Sequence, residues 1–137
     1  MKTLLPKSFL VLSKRRKEYI MRKIISVCMA TYNGQKFILK QVQSILCQLN
    51  DEDELIIIDD KSTDNTVKIL KKLDDKRIKI LINPSNKGSI FSFNKALSLA
   101  IGEYIFLSDQ DDIWYSNKID ASIKHLEKDK LDLIVHD

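Results

Sequence analysis

Tyr104-Ile-Phe-Leu-Ser-Asp-Gln-Asp-Asp-Ile-Trp114 joins a short apolar run to a dense polar terminus. Tyr104 to Leu107 has the length and composition of a buried β-strand. The run stops at Ser108, and Asp109, Asp111 and Asp112 follow before Ile113 and Trp114 close the stretch. The same grammar recurs three times upstream. Ile24 to Ala30 is apolar almost throughout and gives way to Thr31-Tyr-Asn-Gly34. Glu54 to Ile58 ends in Asp59-Asp60, and Arg77 to Ile82 alternates at Ile78, Ile80 and Ile82 before Asn83-Pro-Ser-Asn-Lys-Gly88. Nearly continuous apolar runs belong to strands covered on both faces.

Helical spacing fills the intervals between these strands. Ile38, Val42, Ile45, Leu46 and Leu49 predict an amphipathic helix over roughly 35–48. Val67, Leu70 and Leu73 predict a second, capped by Ser62 or Thr63 with Asp64 in its electropositive first turn. Ile90, Phe93, Leu97, Ala100 and Ile101 line a third, which Gly102 can end in a left-handed cap. A fourth, near 117–128, uses Ile119, Ile123 and Leu126, and Leu131 to Val135 begins a fifth strand. The order βαβαβαβαβ predicts an α/β fold: a mostly parallel, doubly wound sheet with helices on both faces. Ligands collect at the carboxyl ends of such strands. Thr31-Tyr-Asn, Asp59-Asp60, Asn86-Lys-Gly88 and Asp109–Asp112 are therefore expected on one edge.

The chain has 137 residues, with 44% hydrophobic and 31% charged, the balance of one soluble globular domain. Its net charge of +4 is unevenly placed. Residues 1–23 hold eight Lys/Arg and one acid, a net +7, and the remainder is −3. A basic tail on a mildly acidic body argues against nucleic acid as a partner. Residues 1–22 are expected to be a disordered extension, lacking the apolar stretch and cleavage site of a signal peptide. Weak peripheral contact of this tail with an anionic membrane is the alternative. Translation starting at Met21 would omit it. Cys28 and Cys47 have no CxxC partner or metal-ligand neighbours; both read as small buried hydrophobes in a reducing compartment.

Three carboxylates at the end of a buried strand repel one another, more so when desolvated, and a cation among them relieves that cost. Aspartate oxygens are hard ligands, which favours Mg²⁺ or Mn²⁺. With glycine only at 34, 88 and 102 there is neither GxGxxG nor a P-loop. A diphosphate bound here would be neutralised through a metal at Asp109 and Asp111, and that metal also improves the leaving group. Asp60 can accept hydrogen bonds from a base or ribose, and Tyr32 offers a stacking face.

Ser26-Val-Cys-Met-Ala-Thr-Tyr-Asn-Gly34, Leu55-Ile-Ile-Ile-Asp-Asp-Lys-Ser-Thr-Asp-Asn-Thr66, Asn86-Lys-Gly88 and Gly102–Asp112 together resemble the inverting family 2 glycosyltransferases of GT-A fold. The resemblance runs from about Ile24 to Val135, with Lys61 where glycine is more usual and Phe93 where many members carry Arg. It implies a Rossmann-like nucleotide-diphospho-sugar-binding sandwich over 23–137, truncated after the fifth strand. Carried over by position, Ala30 and Tyr32 flank the base, Asp60 binds it, Asp109 contacts ribose or metal, and Asp111 is the principal metal ligand. Asp112 is either an outer contact of the metal or a helix-proximal surface acid. The implied partners are a UDP- or dTDP-type sugar donor and a carbohydrate or lipid-linked acceptor. The implied place is the cytoplasm, at the inner face of the membrane. The Ser-Asp-Gln-Asp-Asp-Ile-Trp version most resembles rhamnosyltransferase-like members that build bacterial surface polysaccharide.

The family's general base and acceptor half lie beyond the fifth strand, so this chain is expected to bind donor without transferring well. A binding module or remnant without transferase activity is the alternative. DxD phosphatases place their motif after the first strand, and receivers place acids after the first and third; neither pattern fits.

Overall fold

The computed structural model describes residues 23–133. Four strands, β1 (Ile25–Thr31), β2 (Glu54–Asp59), β3 (Ile78–Ile82) and β4 (Tyr104–Ser108), alternate with α1 (Ile38–Leu46), α2 (Thr66–Lys71), α3 (Ser89–Leu99) and α4 (Lys118–Asp129). All strand pairs are parallel, in the order β3-β2-β1-β4. The chain steps outward through β1, β2 and β3, then crosses back to place β4 on the other side of β1. The order therefore reverses between β1 and β4, and the crevice at their carboxyl ends is where such sheets bind ligands.

Sheet position explains the sequence patterns. β1 and β2 are central among the described strands and are buried at every residue, matching their unbroken apolar runs. α1, α2 and α4 cover one face, packing Ile38, Val42, Ile45, Leu70 and Ile119 against Val27, Met29, Leu55 and Ile57. The other face is covered by α3, which lies over β1 and β2. There Ala96 and Ala100 meet Cys28, Ile56 and Ile58.

Two expectations change here. β4 is not buried as its composition suggests: Ile105 and Leu107 are 47% and 56% exposed, because α3 does not reach over this edge strand. The inner face of α3 is not the large-residue stripe either. Ser92 and Ala96 are its buried residues, whereas Ile90, Leu97 and Ile101 are exposed. Small side chains let a helix lie close on a sheet, so the bulky ones turn outward.

Other local expectations also shift. Residues 131–133 are not in a strand, and the rest of the expected fifth strand lies outside the described residues, as does the 1–22 extension. Cys28 is buried, which with nearby Glu54 pushes its thiol up to about 11, but Cys47 is exposed at the end of α1, beyond the buried stripe. Ser62 and Thr63 do not cap α2. The cap position is held by Asn65, which makes no side-chain cap hydrogen bond, and Asp64 just before it accepts at Oδ1 from the Thr66 amide (2.9 Å) and hydroxyl (2.5 Å).

Gly102 is not a left-handed cap. α3 ends at Ala100 in extended backbone (ψ 131°), and the one positive-φ glycine among the described residues is Gly88. Gly102 is small for another reason: a Cβ there would sit 2.5 Å from the Ser26 amide nitrogen and 2.8 Å from the Ile24 carbonyl oxygen. Its amide donates to Ser26 Oγ (2.8 Å), which donates in turn to Glu54 (2.5 Å). Buried Glu54 also accepts from Lys79 (2.6 Å) and the Ile101 amide (2.9 Å). Burial pushes its carboxyl up, but Lys79, Ser26 and that amide bring it below its ordinary value. This network ties the amino edge of the sheet, opposite the candidate site.

Candidate functional site

At the carboxyl edge, the loops after β1, β2 and β4 are fastened to one another by side chains. Gln110 joins two of them. Its Oε1 accepts from the Tyr32 amide (2.9 Å) and Thr31 Oγ1 (2.7 Å), and its Nε2 donates to the Tyr32 carbonyl (3.1 Å). A Cβ on buried Gly34 would come within 2.5 Å of that Oε1, so glycine leaves room for the bridge. The loop after β2 is laced to the loop after β1 from the other side. Asn33 and Gln35 donate their amides to Ser62 Oγ (2.9 Å) and Asp64 Oδ2 (3.1 Å), and Asn33 Oδ1 accepts from the Thr63 amide (2.8 Å). Tyr32 thus stands, 44% exposed, on a loop held from both sides.

Asp59 is fully buried and accepts from the amide and hydroxyl of Ser62 (2.8 and 2.5 Å), shaping its own turn. Lys61 in that turn has φ 66°, a left-handed conformation that glycine adopts more readily. Asp60 is also buried, and its amide donates to the Thr31 carbonyl (2.8 Å). Its Oδ1 accepts from Asn83 Nδ2 (2.9 Å) and the Lys87 amide (2.7 Å), and its Oδ2 from the Gly88 amide (2.7 Å). Burial pushes this carboxyl up, but those three donors bring it below its ordinary value, so it is held as a carboxylate. Asp60 therefore anchors the Asn86-Lys-Gly88 loop to the end of β2. Ala30, nearly buried, pairs with Ile58 inside the sheet and presents little surface.

The acidic loop is pinned at its far end. Trp114 is buried against Phe106, ring centroids 5.8 Å apart, and its amide donates to Ser44 Oγ (3.0 Å). Asp109, Asp111 and Asp112 remain exposed. The desolvation argument for a cation therefore does not hold, since exposed charges are screened by solvent. Asp112 is a helix-proximal acid paired with Lys118 at 3.4 Å. Among the described residues, no group of three or more His, Cys, Asp or Glu side chains could hold a metal ion. Asp109 and Asp111 would offer a hard divalent ion one or two carboxylates, the number Mg²⁺ commonly takes from a protein.

The residues that organise this edge and escaped sequence reading are Gln110 and Asn83. Asn83 is fully buried, donates to Ser92 Oγ as well as to Asp60, and accepts from Lys95 Nζ (3.1 Å). Neither residue carries a local pattern, since their partners are 78 and 23 positions away.

Residues 26–137 match the family described as Glycosyl transferase family 2. The chain belongs to this family. Two Escherichia coli UDP-Glc:alpha-D-GlcNAc-diphosphoundecaprenol beta-1,3-glucosyltransferases, WfaP and WfgD, are 38% and 36% identical over 80% and 79% of this family 2 chain. Each is matched over 43% of its own length, so the chain spans about two fifths of these relatives. The fold of Staphylococcus aureus TarS 1-349 in complex with UDP superposes with TM-score 0.69 at 30% identity, over 76% of this chain and 32% of that one. The mannosyltransferase PcManGT from Pyrobaculum calidifontis, with GDP-Man and Mn2+, superposes with TM-score 0.71 at 23% identity, over 85% and 39%. The GT-A-type α/β architecture expected from the motifs is the architecture found. The two Escherichia coli relatives are named as glucosyl and not rhamnosyl enzymes. No helix among the described residues is long and apolar enough to cross a membrane.

Removing the bridge should be felt locally. Gln110→Ala is expected to speed hydrogen exchange of the Tyr32 amide by about tenfold, the loss of roughly one hydrogen bond's net worth. Global stability should fall by less than about 1 kcal/mol, because two of the three bonds are exposed and the third is only part-buried. Exchange at Tyr32 unchanged from the parent chain would mean that Gln110 does not hold the loop.

Proposed function

We propose that this chain is the donor-binding part of an inverting glycosyltransferase that uses a nucleoside-diphosphate sugar, uridine-based in the first place. The observation that carries the reading is the Gln110 bridge at the reversal of strand order, which sets the Asp109–Asp111 loop beside Tyr32. Tyr32 gives a partly exposed aromatic face for the base. Asp60 Oδ2 accepts one hydrogen bond, which leaves a lone pair for a base N–H, and Ala30 backs the base from the end of β1. Asp109 and Asp111 would hold Mg²⁺ or Mn²⁺ through carboxylate oxygens, and Asp109 would also serve the ribose. That ion, when bound, withdraws charge from the departing nucleoside diphosphate. The chain's own part is to orient the base and to hold the two carboxylates on the loop beside it.

The general base is assigned to no residue of this chain. The acceptor is a carbohydrate or lipid-linked sugar of bacterial surface polysaccharide synthesis, at the cytoplasmic face of the membrane, and the glucosyl relatives that name diphosphoundecaprenol support this class. Those relatives also favour a UDP-hexose over the rhamnosyl donor suggested by Ser108–Trp114.

Titration calorimetry with UDP tests the reading. Binding should strengthen at least tenfold, about 1.4 kcal/mol, when Mn²⁺ is added. Asp111→Ala should lose that gain and keep the metal-free affinity. Equal affinity with and without Mn²⁺, or an Asp111→Ala chain that still responds to it, would remove the metal-held donor from the proposal.

A further inference from the structure

Lysines are segregated on the layer that covers the β1–β2 side of the sheet. The segments 35–50 and 65–73, which contain α1 and α2, hold Lys36, Lys40, Lys68, Lys71 and Lys72 and no acidic residue. The two helices pack side by side, and Lys36, Lys68 and Lys72 line one shallow groove between them with Gln35, Asn65 and Ile69. All five lysines are exposed, and none of them is in an ion pair among the described residues. Of the lysines elsewhere among the described residues, Lys23, Lys76, Lys79 and Lys118 have an acidic partner within 4.0 Å. Of the acids flanking α2, Asp64 is turned inward to the amides of Gln35 and Thr66, and Asp74 is exposed just past the end of the helix.

Apolar side chains are set among these charges. Phe37 and Leu39, between Lys36 and Lys40, are 50% and 42% exposed. Polyphosphate or the backbone of a nucleic-acid duplex would use the lysines alone. A surface that offers cations and exposed apolar side chains together suits a bilayer interface, where anionic headgroups lie over hydrocarbon.

We propose that the α1–α2 face docks on an anionic lipid bilayer, with Lys36, Lys68 and Lys72 against headgroup phosphates and Phe37 and Leu39 entering the headgroup boundary. The proposed face includes no residue of the basic 1–22 segment, and it does not depend on how donor is held at the carboxyl edge.

Flotation of the full chain with vesicles of phosphatidylglycerol and phosphatidylcholine in equal parts is the test. The triple variant Lys36→Gln, Lys68→Gln, Lys72→Gln should lose at least about tenfold in partitioning. A control neutralising three lysines elsewhere, Lys76→Gln, Lys124→Gln, Lys128→Gln, should lose less than about threefold. Both variants keep the same 1–22 segment, so the comparison isolates the face, and circular dichroism checks that each folds. Phe37→Ser with Leu39→Ser should weaken binding several-fold at raised salt, where charge is screened and apolar insertion remains. Equal losses in the two triple variants, or no loss in either, would overturn the proposal. So would a serine variant that binds like the parent while duplex DNA displaces the vesicles, which would identify a general polyanion surface.

Discussion

Asp60→Ala is expected to lower the folding free energy by about 3 kcal/mol, because one buried side-chain donor and two part-buried backbone amides lose their acceptor at once. The Asn83 side chain and the amides of Lys87 and Gly88 all lose their acceptor together. Asn83 retains Ser92 and Lys95, so the amides at 87 and 88 carry most of the loss. Asp60→Asn should fall between: its oxygen can serve Asn83 and Lys87, but its amide nitrogen then faces the Gly88 N–H, donor against donor. The folded carboxyl lies below its ordinary value, so its contribution is complete above the unfolded value of about 3.9. It is lost as pH falls through the folded value. Urea titrations of parent and alanine chains should therefore differ fully at pH 7 and converge in strong acid. A gap of the same size at both ends of that range would show that Asp60 acts through packing and not through its charge.

Gly102→Ala should be as damaging, through sterics alone. The added methyl would lie 2.5 Å from the Ser26 nitrogen and 2.7 Å from its hydroxyl, with the Ile24 carbonyl at 2.8 Å. Two of these three atoms are backbone of the strand entry and cannot swing aside as a side-chain tip could. Relief requires β4 to draw away from β1, stretching the Gly102 amide to Ser26 bond and its link to Glu54. Overpacking of this kind costs about 3 kcal/mol, or roughly 10 °C in the melting midpoint of a domain this size. UDP affinity per folded molecule should not change, since the damage lies at the amino edge. A midpoint within about 1 °C of the parent would show that the strands accommodate a methyl there.

Much of the fold was legible because each element carries its own local signal. The apolar runs at 25–31 and 54–59 announce central strands, and the 3.6-residue spacing at Ile38, Val42 and Ile45 announces α1. The misreadings cluster where the environment differs from what composition implies. Ile105 and Leu107 look like core residues, and only the reach of α3 makes them exposed. Ile90, Leu97 and Ile101 look like a helix's inner face, but close packing on β1 and β2 favours Ser92 and Ala96. Gly102 looks like a helix terminator, yet the neighbour that demands glycine is 76 residues away.

The candidate site divides in the same way. That polar clusters end every strand can be read directly, because strand ends and turn residues are written locally. Parallel topology then requires those ends to share an edge, so the sequence alone determined the α/β class, the edge, and the acids and aromatic gathered there. The tertiary structure decided how each of these residues is held. It buries Asp60 under the 86–88 loop, leaves Asp109 and Asp111 in solvent, pairs Asp112 with Lys118, and makes Gln110 the joint between the two loops. Burial and hydrogen-bond pairing depend on residues far apart in the chain, and no local pattern encodes them.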